Sequence, residues 1–129
     1  MPEAEGERFP FKGQEHIRSE YLQTLDFEGR DQYIRTETEE FVAVCPFSGL
    51  PDVARLIIEY YPRGGRCVEL KSLKYYLLQF RPVGIFYENI VNRILDDLTA
   101  ALSPKRMRIV GCFSARGGLS STVEAVYEK

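Results

Sequence analysis

The feature that most constrains this chain is that the period of its apolar residues changes twice, from two to about 3.6 and back to two. Gln32 to Val44 (QYIRTETEEFVAV) is rich in β-branched and aromatic residues and alternates with polar ones in its first half, as a half-exposed strand does. Val53 to Tyr61 alternates around Ala54, Leu56, Ile58 and Tyr60 and runs into the turn signal Pro62-Arg63-Gly64-Gly65, which predicts the second strand of an antiparallel pair. Between Glu69 and Phe80, Leu70, Leu73, Leu77 and Phe80 recur at spacings of three and four, the signature of one helix face, and Pro82 and Gly84 stop it. Tyr87, Val91, Ile94, Leu98 and Leu102 predict a second helix ending at Ser103-Pro104, with Asp96 and Asp97 on its outward side. Met107 to Phe113 and Thr122 to Tyr127 alternate again, around an Arg116-Gly117-Gly118 turn. The order ββααββ predicts an α+β fold, an antiparallel sheet with two helices on one face. A sheet that small has exposed edges, and pairing them between subunits into a closed barrel removes that liability, so a homo-oligomer is expected.

Composition sets the remaining bounds. A chain of 129 residues with 44% hydrophobic residues fits a single domain, assigned to residues 22–129. Residues 1–21 lack periodicity and read as an arm, flexible or ordered against a partner subunit. A net charge of −2 and a pI near 5.5 argue against a protein that coats nucleic acid. Three cysteines, Cys45, Cys67 and Cys112, without CxxC spacing suggest neither a disulfide framework nor a zinc ribbon, and no metal is expected. No stretch approaches the roughly 20 apolar residues of a membrane span, so the expectation is a cytoplasmic protein. The one histidine, His16, lies in the arm, a poor place from which to activate a nucleophile.

Four places carry residues suited to chemistry. Cys45 stands at a strand end and is followed by Pro-Phe-Ser-Gly-Leu-Pro and then Asp52, a loop stiff enough to bring a thiol and an acid together. A buried strand-end cysteine with a turn aspartate is the plainer reading of that spacing. Lys71 and Lys74, one helical turn apart behind Glu69, can address one anion or form a solvated helix face. Arg116 beside two glycines suits either a phosphate or an ordinary hairpin. Glu88, among Ile85, Phe86, Tyr87 and Ile90, needs a partner, which could be an internal arginine or the N–H edge of a guanine-like base.

Together these segments, from Glu40 to Tyr127, resemble the single-module QueF-type nitrile reductases of queuosine biosynthesis. That family's signature is Glu, Ser or Leu, Lys, Ser or Ala, a hydrophobic residue, Lys, an aromatic or Leu, and an aromatic; here it reads Glu69-Leu70-Lys71-Ser72-Leu73-Lys74-Tyr75-Tyr76. Cys45-Pro46-Phe47-Ser48-Gly49-Leu50-Pro51-Asp52 fits its Cys-Pro-x-[Thr/Ser]-Gly-x-Pro-Asp loop, and Phe86-Tyr87-Glu88 and Arg116-Gly117-Gly118 fall where the family recognises base and cofactor. The resemblance implies a tunnelling fold whose subunits assemble into a barrel with sites at their interfaces. It implies reduction of 7-cyano-7-deazaguanine to 7-aminomethyl-7-deazaguanine by NADPH. Cys45 would be the nucleophile and Asp52 the proton donor. Val68, Glu69, Leu70, Tyr87 and Glu88 would line the substrate pocket, and Lys71, Lys74 and Arg116 would meet the cofactor phosphates.

Two departures stand out: many relatives carry histidine where this chain has Tyr87, and Arg81-Pro82-Val83-Gly84 lacks the asparagine often found after the arginine. Tyr87 can still stack on a base or hydrogen-bond to it, but it cannot run a histidine-type proton relay. Three alternatives rank lower. An amidino-transferring relative acting on a tRNA-borne nitrile is opposed by the intact lysine signature. A silent purine-binding module is opposed by the conjunction of Cys45 and Asp52. A pterin-type cyclohydrolase is opposed by the lack of a zinc constellation.

Overall fold

The computed structural model describes residues 2–62 and 65–129, so Arg63 and Gly64 of the turn expected at 62–65 lie outside the described residues. The elements are β1 (Thr24–Asp26), β2 (Ile34–Val44), β3 (Pro51–Tyr61), β4 (Arg66–Val68), α1 (Leu70–Leu78), α2 (Tyr87–Leu102), β5 (Arg106–Arg116) and β6 (Leu119–Glu128). β2, β3, β5 and β6 form one antiparallel sheet in the order β2-β3-β5-β6, the expected ββααββ arrangement. The short strands β1 and β4 pair with each other in a separate antiparallel ribbon. At three residues each they are too short for periodicity to reveal.

Alternation explains which face of the sheet is covered. Ala54, Leu56, Ile58 and Tyr60 of β3 and Met107, Ile109 and Phe113 of β5 are buried against Ile90, Ile94, Leu98 and Leu102 of α2 and Tyr76 and Phe80 near the end of α1. The opposite face carries a ladder of ion pairs: Arg35 and Arg55 on Glu37, Arg108 on Glu59 and Glu124, Arg106 on Glu128. Such exposed pairs stabilise little individually but keep that face polar.

Two bulges break the alternation. In β2 the register shifts between Thr38 and Phe41, so Glu39 and Glu40 together stand opposite Arg55. Thr38 pairs with Leu56 and Phe41 with Ala54, which keeps both on the core face and changes the inward set from even to odd numbers. Phe41 and Ala43 are buried in consequence, and the same parity delivers Cys45 inward. In β5 the shift lies between Phe113 and Arg116, with Ser114 and Ala115 opposite Ser120. Arg116 therefore points to the same face as Phe113 rather than to the ion-pair ladder. Gly117 and Gly118, at φ of 58° and 81°, then close a two-residue hairpin of the kind that requires positive φ at both positions.

Helix α1 ends at Leu78, two residues before the expected Phe80, and residues 79–82 form turns ahead of the extended Val83. Asp97, expected outward on α2, faces inward: it accepts hydrogen bonds from Tyr76 Oη at 2.6 Å and Arg93 Nε at 2.8 Å. Arg93 in turn donates to the carbonyls of Ile17 at 3.0 Å and Gln14 at 3.4 Å. The N-terminal segment is thus tied to its own chain. Lys12 bridges Val83, Ile17 is buried, and the Gln79 side chain bonds both the amide and the carbonyl of Arg18. His16 has no side-chain hydrogen bond among the described residues.

The Tyr76 ring is fully buried, and burial together with the Asp97 hydrogen bond pushes its ionisation far above the ordinary range, so the hydroxyl stays a donor. Tyr76→Phe removes one charge-assisted bond while Asp97 keeps Arg93. Stability should fall by about 1.5 kcal/mol, read as a lower denaturant midpoint at unchanged slope. An unchanged midpoint would show that this network contributes nothing.

Candidate active site

The loop after β2 is folded by its own backbone. Cys45 N–H donates to Leu50 O at 2.9 Å and Gly49 N–H to Cys45 O at 2.8 Å, while Ser48 Oγ accepts from Leu50 N–H at 3.2 Å. Gly49 sits at φ 74°, and a Cβ there would stand 2.1 Å from the carbonyl oxygen of Phe9, so only glycine fits. Phe9 approaches that closely because its N–H donates to Ser48 O at 2.9 Å. On the other side, Val44 N–H bonds Val83 O at 3.0 Å and Ile85 N–H bonds Val44 O at 3.2 Å. The loop is therefore braced between the N-terminal segment and the entry to α2.

These contacts place the Cys45 thiol where two opposing effects meet. Burial pushes its pKa up, but hydrogen bonds from the Ser48 and Phe47 amides, the Ser48 hydroxyl and the Arg116 guanidinium outweigh that and lower it to about 7. Asp52, facing Ala43 across the β2–β3 ladder, is 6% exposed and forms an ion pair with Arg116. Its Oδ1 also accepts from Tyr87 Oη at 3.3 Å. The Tyr87 ring stacks on Phe113 with centroids 3.9 Å apart and planes 11° from parallel. Burial and then the Asp52 charge raise the Tyr87 pKa, which keeps its hydroxyl protonated.

Four of the sequence-derived residues, Cys45, Asp52, Tyr87 and Arg116, thus form one cluster: a nucleophile with appreciable thiolate at neutral pH, a buried carboxylate, a phenol and a cation. The other candidates lie elsewhere on the chain. Val68 closes β4 and is buried, its N–H bonded to Tyr60 Oη at 3.1 Å. Glu69 caps α1, its carboxylate accepting from Ser72 N–H at 2.8 Å and Lys71 N–H at 2.9 Å. Leu70 and Lys74 line a cavity of about 330 Å³ between α1 and the edge strand β2, with Phe41, Leu56, Leu73 and Leu77. Among the described residues neither Lys71 nor Lys74 has a side-chain ion pair or hydrogen bond. Glu88, expected to need a partner among apolar neighbours, is exposed at the first turn of α2 and has no side-chain partner among the described residues. Of its apolar neighbours in sequence, Ile85 and Ile90 are buried in the core, whereas Phe86 is exposed.

Two things were not legible in the sequence. Phe113 reads as one more inward strand residue, with nothing to mark it as the platform under Tyr87. Arg116 reads as a surface turn residue, because the bulge that turns it inward has no sequence signature beyond the exposed Ser114-Ala115 pair.

A thiol with a pKa near 7 reacts as thiolate over a distinct pH range. The rate of Cys45 carboxamidomethylation should rise through a midpoint at about pH 7 and level off above it. In denaturant the midpoint should move to about 8.5, the value of a free thiol. A native midpoint equal to the denatured one would remove the electrostatic account of this site.

Comparison with known proteins agrees with the architecture. Residues 51–129 match the family described as QueF-like protein. Over 124 residues the chain is 54% identical to a Thermotoga maritima protein named NADPH-dependent 7-cyano-7-deazaguanine reductase, covering 96% of this chain and 90% of that one. A protein of the same name from Chloroherpeton thalassium is 49% identical over 114 residues, with 87% and 97% covered. Among solved structures, the apo form of the archaeosine synthase QueF-Like superposes with a TM-score of 0.67 at 26% identity, covering 73% of this chain and 91% of that one. With a family match spanning both helices and strands β3 to β6, and relatives about half identical along nearly its whole length, the chain belongs to the QueF-like protein family.

Proposed function

We propose that this protein reduces the nitrile of 7-cyano-7-deazaguanine to an aminomethyl group with NADPH, through a covalent thioimidate on Cys45, in the queuosine branch of tRNA modification. The observation that carries the reading is a thiol lowered to about 7 and held beside a buried carboxylate, in a chain about half identical to relatives bearing that activity's name. A nitrile carbon is electrophilic, and a thiolate is the nucleophile suited to it. As the carbon–sulfur bond forms, one carbon–nitrogen π pair moves onto nitrogen. Asp52 takes up the thiol proton and delivers it there, leaving a neutral thioimidate. NADPH, when bound, supplies a hydride to the thioimidate carbon and, from a second molecule, a hydride to the imine carbon. Between these additions the carbon–sulfur bond breaks and the electron pair returns to Cys45. With two protons the sum is nitrile to primary amine and two NADPH to two NADP⁺.

Tyr87 stands where many relatives have histidine. Its raised pKa suits it to holding Asp52 and stacking near the base, rather than to shuttling a proton at neutral pH. Lys71 and Lys74, one helical turn apart and without side-chain partners among the described residues, suit cofactor phosphates. Val68, Glu69 and Leu70 suit a pocket wall, with Glu69 acting through the turn it fixes, since both its oxygens already serve amides of α1. Glu88, exposed and without a side-chain partner among the described residues, suits the N–H edge of the base.

The outer positions of β2, bonded to the segment before α2 only at Val44, and of β6, together with the apolar cavity beside β2, support assembly of copies into a barrel, with pockets completed at the interfaces. No helix among the described residues is long and apolar enough to cross a membrane, and three free cysteines suit the reducing cytoplasm.

The test is NADPH oxidation on adding the nitrile. Wild-type protein should consume two NADPH per amine formed, and Cys45→Ala should consume none while keeping its circular dichroism spectrum. Lys71→Ala with Lys74→Ala should raise the KM for NADPH by about tenfold or more per lost contact. No oxidation by the wild type, with ammonia consumed instead, would replace reduction by amidino transfer.

A further inference from the structure

Residues 9–12 reach the Cys45 loop from outside the sheet and hold it on both sides of the nucleophile. After Cys45 the grip is direct: Phe9 N–H donates to Ser48 O at 2.9 Å, and the Phe9 carbonyl lies so close over Gly49 that a side chain there would overlap it. Before Cys45 it runs through residues 83–85. Lys12 N–H donates to Pro82 O at 2.7 Å and Lys12 O accepts from Gly84 N–H at 2.8 Å. On the far side Val44 N–H donates to Val83 O at 3.0 Å and Val44 O accepts from Ile85 N–H at 3.2 Å. The backbone at 83–85 is thus held in parallel between Lys12 and Val44, with the Phe11 ring against Gly84. The same stretch leads into Phe86 and Tyr87, so one short segment fixes both the thiol and the entry to α2.

This segment gives the core little. The Phe9 and Phe11 rings are 40% and 41% exposed, so residues 9–12 provide backbone hydrogen bonds and steric contact rather than buried apolar area. Just beyond them the chain has its own anchor. Ile17 is buried, Arg93 bonds the carbonyls of Gln14 and Ile17, and the Gln79 side chain bonds both the amide and the carbonyl of Arg18. The bonds inside the Cys45 loop set its shape, and residues 9–12 set how it stands against α2.

We propose that residues 9–12 are a positioning strap for nitrile capture: they hold the Cys45 loop in the orientation from which its sulfur meets the nitrile carbon beside Asp52, and they take no part in cofactor binding. The proposal deepens the thioimidate reading and rests on it for its catalytic use. Bond formation needs the reacting atoms aligned, and a displacement of about 1 Å costs on the order of 10²-fold in rate. None of the strap's backbone bonds reaches Lys71 or Lys74, so loosening it acts on capture and not on the cofactor.

The test compares wild type with three full-length variants. Phe9→Pro lacks the amide that holds Ser48, Lys12→Pro lacks the amide that holds Pro82, and Glu7→Pro places a proline upstream of the strap. Each is assayed for the rate of adduct formation with 7-cyano-7-deazaguanine without NADPH, the KM for NADPH, the pH midpoint of Cys45 carboxamidomethylation and the denaturant midpoint. Phe9→Pro and Lys12→Pro should each slow adduct formation by about tenfold or more. They should move the alkylation midpoint from about 7 toward the denatured value by about half a pH unit or more. The KM for NADPH should stay within about twofold, and Glu7→Pro should stay within about twofold of wild type throughout. Wild-type adduct rates and alkylation midpoints in both strap variants would overturn the proposal. So would slower capture matched by an equal rise in the KM for NADPH and a lower denaturant midpoint, which would make the segment general support. A variant that alkylates Cys67 and Cys112 as fast as Cys45 is unfolded, and the other strap variant then carries the comparison; if both are unfolded, the proposal fails. A shifted midpoint in the variants of a protein whose wild type forms no adduct would overturn the reductase reading while leaving the strap's hold on Cys45 in place.

Discussion

Residues two apart on a strand face the same way, and the site depends on one extra residue inserted into each of two strands. Without the Glu39–Glu40 bulge in β2, Cys45 would face the ion-pair ladder; without the Ser114–Ala115 bulge in β5, Arg116 would. The β5 insertion lies at the hairpin end of its strand and the β2 insertion in the middle of an edge strand, so the pairing of β3 with β5 is left regular to pack the core. A bulge forfeits a little pairing at a sheet margin, and here what is obtained is the convergence of a thiol, a carboxylate and a guanidinium on one face.

The charges that converge are costly to bury unless they satisfy one another. Asp52 is nearly inaccessible, and it is tolerable there because Arg116 and the Tyr87 hydroxyl bond the same carboxylate oxygen. Arg116 in turn lowers the thiol. Removing any one member therefore changes the surroundings of the others, which is why these residues are best treated as a unit rather than as separate contributions. The loop that carries Cys45 is held from outside the sheet as well. Phe9 crosses Gly49 at a distance only glycine permits, and Arg93 fixes the carbonyls of residues 14 and 17 through the same Asp97 that Tyr76 bonds. The N-terminal segment, which composition alone makes an arm, is part of the scaffold of the site.

Much of this was legible in the residues because period and turn chemistry report directly on long elements. The alternation of Ala54, Leu56, Ile58 and Tyr60, the helical spacing from Leu70 to Leu77 and the glycine pair at 117–118 each named their element correctly. The boundaries moved where a side chain rather than periodicity decides them. Glu69 starts α1 by capping it, and the turns before Val83 end it early. Short pieces such as β1 and β4 carry no periodic signal at all. Asp97 looked outward because a charge on an amphipathic helix usually is, and nothing local showed that Tyr76 and Arg93 would receive it. The spacing of the loop already brought Cys45 and Asp52 together, but the rest of the grouping was not legible. Arg116 and Phe113 joined Cys45 only once the strand registers were known.

On the proposed route Cys45, and no other thiol, becomes covalently joined to the nitrile carbon before any hydride is transferred. The most direct measurement is the mass of the wild-type protein incubated with 7-cyano-7-deazaguanine in the absence of NADPH, followed by digestion under mild acid to locate the added group. The expected result is an increase equal to the whole nitrile, one per chain, on the peptide that carries Cys45, with the peptides carrying Cys67 and Cys112 unmodified. An unmodified protein that still produces amine when NADPH is added, or an adduct on either other cysteine, would contradict it.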